Sequence, residues 1–86
     1  MPTSNELHLR RKPILEAMHE LDTYLNHVFL DNIVTVRIIR GKGSGEMRQA
    51  VWEALSIHPL VKNFRIGFLG EGDAGVTVVD MESQNI

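Results

Sequence analysis

The sequence predicts a two-layer α/β (α+β) sandwich, in which two helices cover one face of a sheet. Strand-like and helix-like segments alternate in the order β-α-β-α-β-β. Crossovers between parallel strands are almost always right-handed, so two crossovers that step the same way across the sheet place both helices on one face. The first three strands alternate apolar and polar residues, which is too polar a pattern for a sheet that is buried on both faces.

The first half of the chain predicts a strand, a helix and a second strand. Residues 6–10 (ELHLR) alternate between apolar and polar, as a half-buried strand does. Pro13 suits the first turn of a helix, where its missing N–H costs nothing. Apolar residues then recur at helical spacing to about Asn32. Residues 33–39 (IVTVRII) are rich in β-branched side chains, which favours a strand.

The second half begins with three glycines at positions 41, 43 and 45. A helix is predicted from about Met47, and it ends at the His58–Pro59 step because a residue before proline avoids helical geometry. The remaining segments are a third strand at 63–69, a glycine-rich loop at 70–75, a fourth strand at 76–81 and a frayed end after Glu82.

The alternation also predicts which side chains each face of the sheet carries. The residues expected to face the helices are Leu7, Leu9, Val34, Val36, Ile38, Phe64 and Ile66. The residues expected on the open face are His8, Arg10, Thr35, Arg37, Arg65 and Thr77. The fourth strand is apolar on both sides apart from Thr77 and Asp80, so we expect it to lie inside the sheet.

Length and composition limit the class of protein. With 86 residues, the chain is expected to form a single domain over 1–86, with an ordered core over about 6–82. The absence of cysteine excludes disulfides, a thiolate zinc site and a cysteine nucleophile. No apolar run approaches the ~20 residues that span a bilayer, and the N-terminus has no signal-peptide core. We therefore expect a cytoplasmic protein with no membrane partner, either free-standing or excised from a longer chain.

The charges are unevenly distributed along the chain. The net charge is −2, but seven of the nine lysines and arginines lie between positions 10 and 48. No cation follows Arg65. A weakly acidic protein can therefore carry a local basic patch, and the local field decides how an anionic partner binds.

The predicted topology brings the basic segments together. The carboxyl ends of parallel strands meet at one edge of a sheet, so the loops after the first and second strands (RRKP and RGKGSG) should be neighbours. The positive ends of both helix dipoles point to that edge as well. We therefore predict a phosphate-binding site there. Its candidate residues are Arg10, Arg11, Lys12, Arg37, Arg40, Gly41, Lys42, Gly43, Ser44, Gly45 and Arg48.

The glycine-rich segment does not match a nucleotide-binding loop. A Walker loop needs G-x-x-x-x-G-K-[ST], which residues 37–48 do not supply. The dinucleotide fingerprint G-x-G-x-x-G fails at Glu46. The structural alternative to a phosphate site is a plain turn, with Ser44 or Gly43 capping the second helix and Glu46 near its positive end.

Two long segments resemble a known family. Residues 36–55 (VRIIRGKGSGEMRQAVWEAL) and 58–81 (HPLVKNFRIGFLGEGDAGVTVVDM) are similar to the Smr, or small MutS-related, domain. This domain occurs at the C-terminus of the second class of bacterial MutS proteins and as a free-standing protein. The resemblance extends from about Glu6 to Glu82. It implies two helices on one face of a four-stranded mixed sheet, similar to the C-terminal domain of translation initiation factor three.

The family motifs can be placed on this sequence. Residues 7–10 (LHLR) align with the L-D-x-R motif, and Arg10 matches it. Residues 40–43 (RGKG) align with the H-G-x-G loop, where Gly41 and Gly43 match. The resemblance implies binding of DNA or RNA and, in several members, nicking endonuclease or ribonuclease activity. It also implies a setting in DNA repair, mismatch repair and recombination, or in ribosome rescue with the ribosome as a partner.

Two departures from the motifs favour binding over cleavage. The acidic residue of L-D-x-R is His8 here, and a neutral imidazole is a poor ligand for Mg²⁺. The histidine of H-G-x-G is Arg40, which stays protonated and cannot act as a general base. We therefore expect nucleic-acid binding that requires no cofactor. The spacing of the histidines also predicts no structural metal site.

Two other functions remain open at this point. The first is a nuclease that uses Mg²⁺ or Mn²⁺, with Glu6 or Asp80 supplying the missing carboxylate and His8 as the candidate catalytic base. The second is a protein-interaction module with Trp52 exposed, whereas the spacing of the second helix favours Trp52 as part of the core.

Overall fold

A computed structural model describes residues 4–41, 43–67 and 75–84. It contains the six elements in the predicted order. Their bounds are β1 (Glu6–His8), α1 (Ile14–Leu30), β2 (Thr35–Ile39), α2 (Glu46–Ile57), β3 (Val61–Ile66) and β4 (Val76–Met81). Within the described part of the chain, neither helix is long and apolar enough to cross a membrane.

The strands form a single mixed sheet in the order β1-β2-β4-β3. β1 and β2 are parallel, whereas β4 runs antiparallel to both of its neighbours, β2 and β3. β4 therefore lies inside the sheet, as its apolar sequence predicts. The parallel pair is the feature that matters for the site, because it brings the loops after β1 and β2 to one edge.

Both helices pack on the same face of the sheet and form one core with it. The helices contribute buried side chains that include Leu21, Leu25 and Leu55, and the sheet contributes Ile38 and Val79. All five are at most 2% exposed. The two-layer arrangement predicted from crossover handedness is confirmed.

One assignment to a face of the sheet was wrong. Thr77 is fully buried, and it pairs in register with Ile38, whose side chain lies in the core. Thr77 therefore faces the helices and not the open side. Burial of an unpaired hydroxyl is unfavourable, which favours an outward position for threonine, but this hydroxyl has hydrogen-bond partners inside the core.

Two residues expected to face the helices are more exposed than the prediction required. Val34 is 62% exposed and precedes the first residue of β2, and Ile66 is 36% exposed at the last residue of β3, an edge strand. Both therefore lie at the margin of the area that the helices cover.

Helix α1 ends at Leu30, two residues before the predicted limit, and Asn32 adopts a left-handed φ of 60°.

The remaining strand boundaries differ by a few residues. β1 ends at His8, two residues earlier than predicted, and β3 begins at Val61, two residues earlier. Phe68 and Leu69, which were assigned to the third strand, lie outside the described residues, as do residues 70–74 of the predicted loop and residues 85 and 86. The predicted limits of β4 are confirmed.

The only tyrosine of the chain connects helix α1 to the segment before β1 by a hydrogen bond. The Tyr24 hydroxyl donates a hydrogen bond of 2.7 Å to the Ser4 carbonyl oxygen. Burial raises the pKa of Tyr24 to about 12. Since the unfolded chain releases this proton near pH 10, the native state holds it more tightly.

This shift predicts a pH-dependent stability. The contribution of Tyr24 is complete below about pH 10 and is lost as the pH rises toward 12, where only the unfolded state is ionised. We expect the free energy of unfolding to fall by about 1–2 kcal/mol over that interval because of this residue. Urea denaturation of the wild type and of Tyr24→Phe would measure it. A difference between the two proteins that does not shrink above pH 10 would contradict the prediction.

Candidate functional site

The loops that follow β1 and β2 are in contact. The Leu9 amide donates to the Ile39 carbonyl oxygen at 2.9 Å, which continues the parallel ladder beyond the strands. The Arg10 side chain then lies over Gly41, where an added Cβ would be 3.6 Å from the arginine Cγ and Nε. Gly41 has a φ of +82°, a conformation that other residues adopt at a cost. The structure thus places the two basic segments side by side, as the topology predicts.

The glycine-rich segment leads directly into helix α2. Gly45, with a φ of +94°, is the N-cap residue, and no side-chain cap bond is present among the residues that the structure describes. The Ser44 hydroxyl is 3.5 Å from the Glu46 amide, which is the limit for a hydrogen bond. The cap predicted at Ser44 or Gly43 was therefore wrong, whereas Glu46 does lie in the first turn.

Helix α1 also begins without a side-chain cap. Its N-cap is Pro13, and no side chain there accepts a bond from the first amides. The first amides of an α-helix have no partner within the helix, and they carry its positive dipole end. Among the described residues, two helix N-termini without a side-chain cap bond therefore follow Arg10 and Gly41 closely in the sequence, at Pro13 and Gly45.

Arg40 lies beneath the glycine-rich segment and is only 5% exposed. Its Nε donates to Thr77 Oγ1 at 2.9 Å, and its Nη1 donates to the Gly41 carbonyl oxygen at 3.1 Å. Nη2 is buried and bonds to no described residue. Burial lowers the pKa of Arg40, and the positive charge of Arg48 lowers it further. Arg40 thus positions the loop from below and adds positive charge under it.

Backbone hydrogen bonds join the same loop to the start of β4. The amides of Arg40 and Gly41 both donate to the Gly75 carbonyl oxygen at 3.0 Å. The loop is therefore attached to the inside of the sheet at the position where the Arg40 side chain meets Thr77. This attachment explains how a segment with three left-handed glycines holds a defined position against Arg10.

Two of the predicted phosphate-binding cations are paired within the chain. Lys12 Nζ lies 3.0 Å from Glu20 Oε2 on helix α1, and Arg37 forms an ion pair with Glu6 on the open face. A carboxylate partner neutralises much of the field that a cation presents to a second anion. Neither residue offers an unpaired charge, and Lys42 lies outside the described residues.

Three predicted cations remain exposed, and among residues 4–41, 43–67 and 75–84 no carboxylate pairs with them. They are Arg10, Arg11 and Arg48. Arg48 lies close to the glycine-rich segment, since an added Cβ at Gly45 would be 3.7 Å from its Nη2. We call the surface formed by Arg10, Arg11, Gly41, residues 43–46 and Arg48 the basic edge.

The candidate catalytic residue His8 lies on the open face of the sheet. Its side chain is 66% exposed, and its Nε2 is 3.7 Å from Glu6 Oε1. Glu6 is the acid that also pairs with Arg37, and Asp80 accepts a hydrogen bond of 3.1 Å from Thr35. Both carboxylates proposed as substitutes therefore have partners.

The donor set does not fit the metal ion that the nuclease alternative requires. In the part of the chain that the structure describes, no three histidine, aspartate or glutamate side chains are grouped so that they could hold an ion. Mg²⁺ needs several oxygen ligands, and a carboxylate already held by an arginine is a weak candidate. No step through a metal ion follows from these residues.

The hydrogen bonds that organise the site from inside were not predicted from the sequence. Thr77 Oγ1 accepts from both Arg40 Nε and Trp52 Nε1, at 2.9 and 3.1 Å. A threonine in an otherwise apolar central strand was the available signal. Trp52 is half-buried, as its place beside the apolar stripe predicts. Arg48 Cζ lies 5.7 Å from the centroid of the Trp52 ring. The centroids of the Trp52 and Phe64 rings are 5.9 Å apart.

The fold and the site define a small two-layer α+β domain with a basic, glycine-rich edge at the ends of its parallel strands. The chain belongs to the Smr domain family, whose family model matches residues 7–82. The resemblance stated from the motifs is confirmed over nearly the whole chain.

Similar proteins come from bacteria. The chain is 44% identical over 79 residues to Endonuclease MutS2 of Lachnospira eligens. The aligned region covers 92% of this chain and 10% of that protein. The chain is also 45% identical over 74 residues to Endonuclease MutS2 of Caldicellulosiruptor bescii. That aligned region covers 86% of this chain and 9% of that protein. The chain thus spans about a tenth of the length of these curated relatives.

Two solved structures share the fold. The crystal structure of the Smr domain of Thermus thermophilus MutS2 aligns with a TM-score of 0.87 at 39% identity, covering 90% of this chain and 96% of that one. The structure of YdaL, a stand-alone small MutS-related protein from Escherichia coli, aligns with a TM-score of 0.87 at 23% identity. It covers 95% of this chain and 67% of that one. At that identity, the second match supports the fold alone.

Proposed function

We propose that this domain binds the phosphate backbone of DNA or RNA at the basic edge and recognises shape more than base sequence. The observation that carries the proposal is the closeness of the Arg10 side chain to Gly41, each followed in the sequence by a helix N-terminus with no side-chain cap bond among the described residues. Backbone amides and guanidinium groups are the donors that proteins use for phosphate oxygens, and these contacts carry no sequence information directly.

The predicted site residues divide into three groups in this proposal. Arg10, Arg11, Arg48 and the backbone of Gly41 and residues 43–46 contact phosphate, and Lys42 stays a contact predicted from the sequence. Arg40 acts from beneath by holding Gly41 and by adding positive charge. Lys12 and Arg37 contribute less because each is paired with a carboxylate.

The biological setting is part of the proposal. Relatives that bear the name Endonuclease MutS2 are about ten times as long as this chain. We propose a setting in DNA repair and recombination or in ribosome rescue, which the family resemblance implies. The protein-interaction alternative loses support because Trp52 Nε1 is bonded inward to Thr77.

Cleavage is the alternative function, and the name of the relatives favours it. His8 is exposed and next to Glu6, so it can accept a proton without a metal ion. Such a base suits RNA, whose 2′-hydroxyl is a nucleophile within the substrate. Incubation with structured RNA and supercoiled DNA in EDTA, and then in Mg²⁺ or Mn²⁺, would detect it. Cleavage by pure protein that His8→Ala abolishes would establish the alternative.

Salt dependence of binding tests the proposal directly. Neutralising about four duplex phosphates gives a slope of about −3.6 in log K against log salt, because each contact contributes about −0.9. Fluorescence anisotropy would give this value for matched DNA and RNA duplexes, branched ligands and single strands. The salt concentration would be varied from about 50 to about 200 mM. A slope near zero would show that phosphate contacts do not drive binding.

A further inference from the structure

A groove along helix α2 opens directly from the basic edge. It has a volume of about 630 Å³ and begins at Ser44 and Gly45 of the glycine-rich segment. Arg48 lies along it, and Trp52 and Phe64 supply its aromatic lining. A volume of this size is typical of small-molecule sites in proteins. A strand bound at the basic edge would therefore have an aromatic groove beside it.

The indole of Trp52 is held in a fixed orientation in this groove. Its Nε1 donates inward to Thr77 Oγ1, and the Phe64 ring lies against it at an interplanar angle of 55°. Arg48 Cζ is 5.7 Å from the ring centroid, within the range of a cation–π contact. A rigid aromatic ring beside an arginine is the arrangement that proteins use to stack unpaired bases.

The charges in the groove select the part of a nucleotide that fits. Glu46 and Glu53 also line it, and the Gln49 amide donates to Glu53 at 3.1 Å. Two carboxylates repel phosphate, so a phosphate group is favoured where the groove begins at Gly45, because Arg48 Nη2 lies close to that residue. A nucleobase is neutral, and its N–H groups can donate hydrogen bonds to carboxylates. The groove is therefore complementary to a base whose phosphate remains on the basic edge.

We infer that the Trp52–Phe64 groove is a stacking subsite for one unpaired nucleobase of the bound strand. This inference rests on the proposed binding of phosphate at the basic edge. It makes the preferred ligand a junction at which a duplex meets a single strand. Stacking of one base on an aromatic side chain changes affinity by about 5- to 100-fold in other proteins, and we expect about 10-fold here.

Trp52 is the only tryptophan of the chain, so its fluorescence reports the groove directly. The experiment compares two ligands on the wild-type domain: a duplex with a short single-stranded extension, and the same duplex with abasic sugars in the extension. Both carry the same phosphates. We expect the base-bearing ligand to bind about 10-fold tighter and to quench Trp52 fluorescence, whereas the abasic ligand leaves most of the emission unchanged.

Two variants test the residues. Trp52→Leu should reduce the preference for bases to near unity while the salt slope remains. Because this change also removes a bond to Thr77, Phe64→Leu serves as the second variant: it leaves that bond in place and should weaken the preference several-fold.

The outcomes separate this inference from the proposed function. Equal affinity for the two ligands, with no quenching and a normal salt slope, would overturn the stacking subsite and leave phosphate binding intact. A flat salt response with both ligands would overturn the proposed function and this inference with it. Tighter binding of the base-bearing ligand with quenching of Trp52 would support both.

Discussion

Replacing Arg10 and Arg48 together with glutamate is expected to lower the affinity for a nucleic-acid duplex by about 100-fold or more at 0.1 M salt. Each phosphate contact multiplies the binding constant by about 8 at that salt concentration, because each contact releases about 0.9 counterion. Losing two contacts accounts for about 60-fold, and the two new carboxylates add repulsion. The salt slope should also become about 1.8 smaller in magnitude.

A control variant separates this local effect from a change in net charge. Lys62 is exposed on β3 and precedes Asn63, which pairs with Asp80 at the far end of β4 from Gly75. Lys62→Glu and Arg10→Glu change the net charge equally, but only the second lies on the basic edge. Anisotropy titrations of both single variants should show a loss of affinity mainly for Arg10→Glu. Equal losses would mean that the whole protein's charge matters and the basic edge does not.

Thr77→Val is expected to lower the free energy of unfolding by about 2–4 kcal/mol. The two side chains have nearly the same shape, but valine cannot accept the hydrogen bonds from Arg40 Nε and Trp52 Nε1. Each buried donor left without an acceptor costs about 1–3 kcal/mol, and the cost is larger for a charged group such as the guanidinium. Because Arg40 holds Gly41, the variant should also weaken nucleic-acid binding.

Three further variants identify the cause of that loss. Thr77→Ser keeps the hydroxyl and removes only a methyl group, so its cost should be about 1 kcal/mol. Arg40→Met removes the buried charge, and combining it with Thr77→Val should cost less than the sum of the single changes because the two side chains interact. Urea denaturation of the wild type and of all four variants measures these changes. If Thr77→Val proved as stable as Thr77→Ser, the hydrogen bonds would not be the source of the stability.

Much of the architecture could be predicted from the sequence because burial follows local patterns. The apolar spacing of α1 and the mostly apolar sequence of β4 are properties of neighbouring residues, and they determine which faces are buried. The handedness of crossovers then leaves one arrangement of layers. For the same reason, the contact between Arg10 and Gly41 could be expected from the parallel pairing of β1 and β2.

The pairing of charged side chains could not be predicted in this way. The pairing of Lys12 depends on the rotation of α1, which brings Glu20 to it. The pairing of Arg37 with Glu6 depends on the register of β1 against β2. Arg40 was placed among the surface cations because arginine is rarely buried without a partner. Its burial depends on Thr77, which is 37 residues away in the sequence and is brought to it by the antiparallel pairing of β2 and β4.

If nucleic acid binds at the basic edge, the amide chemical shifts of the ¹⁵N-labelled domain should change there when a short duplex is added. We predict that the largest shift changes fall on residues 10–12 and 41–46 and that they decrease as salt is added. The amides of 61–63 and 80–84, at the opposite end of the sheet, should hardly change. Shift changes centred on that opposite end, with those of 41–46 unaffected, would contradict the account.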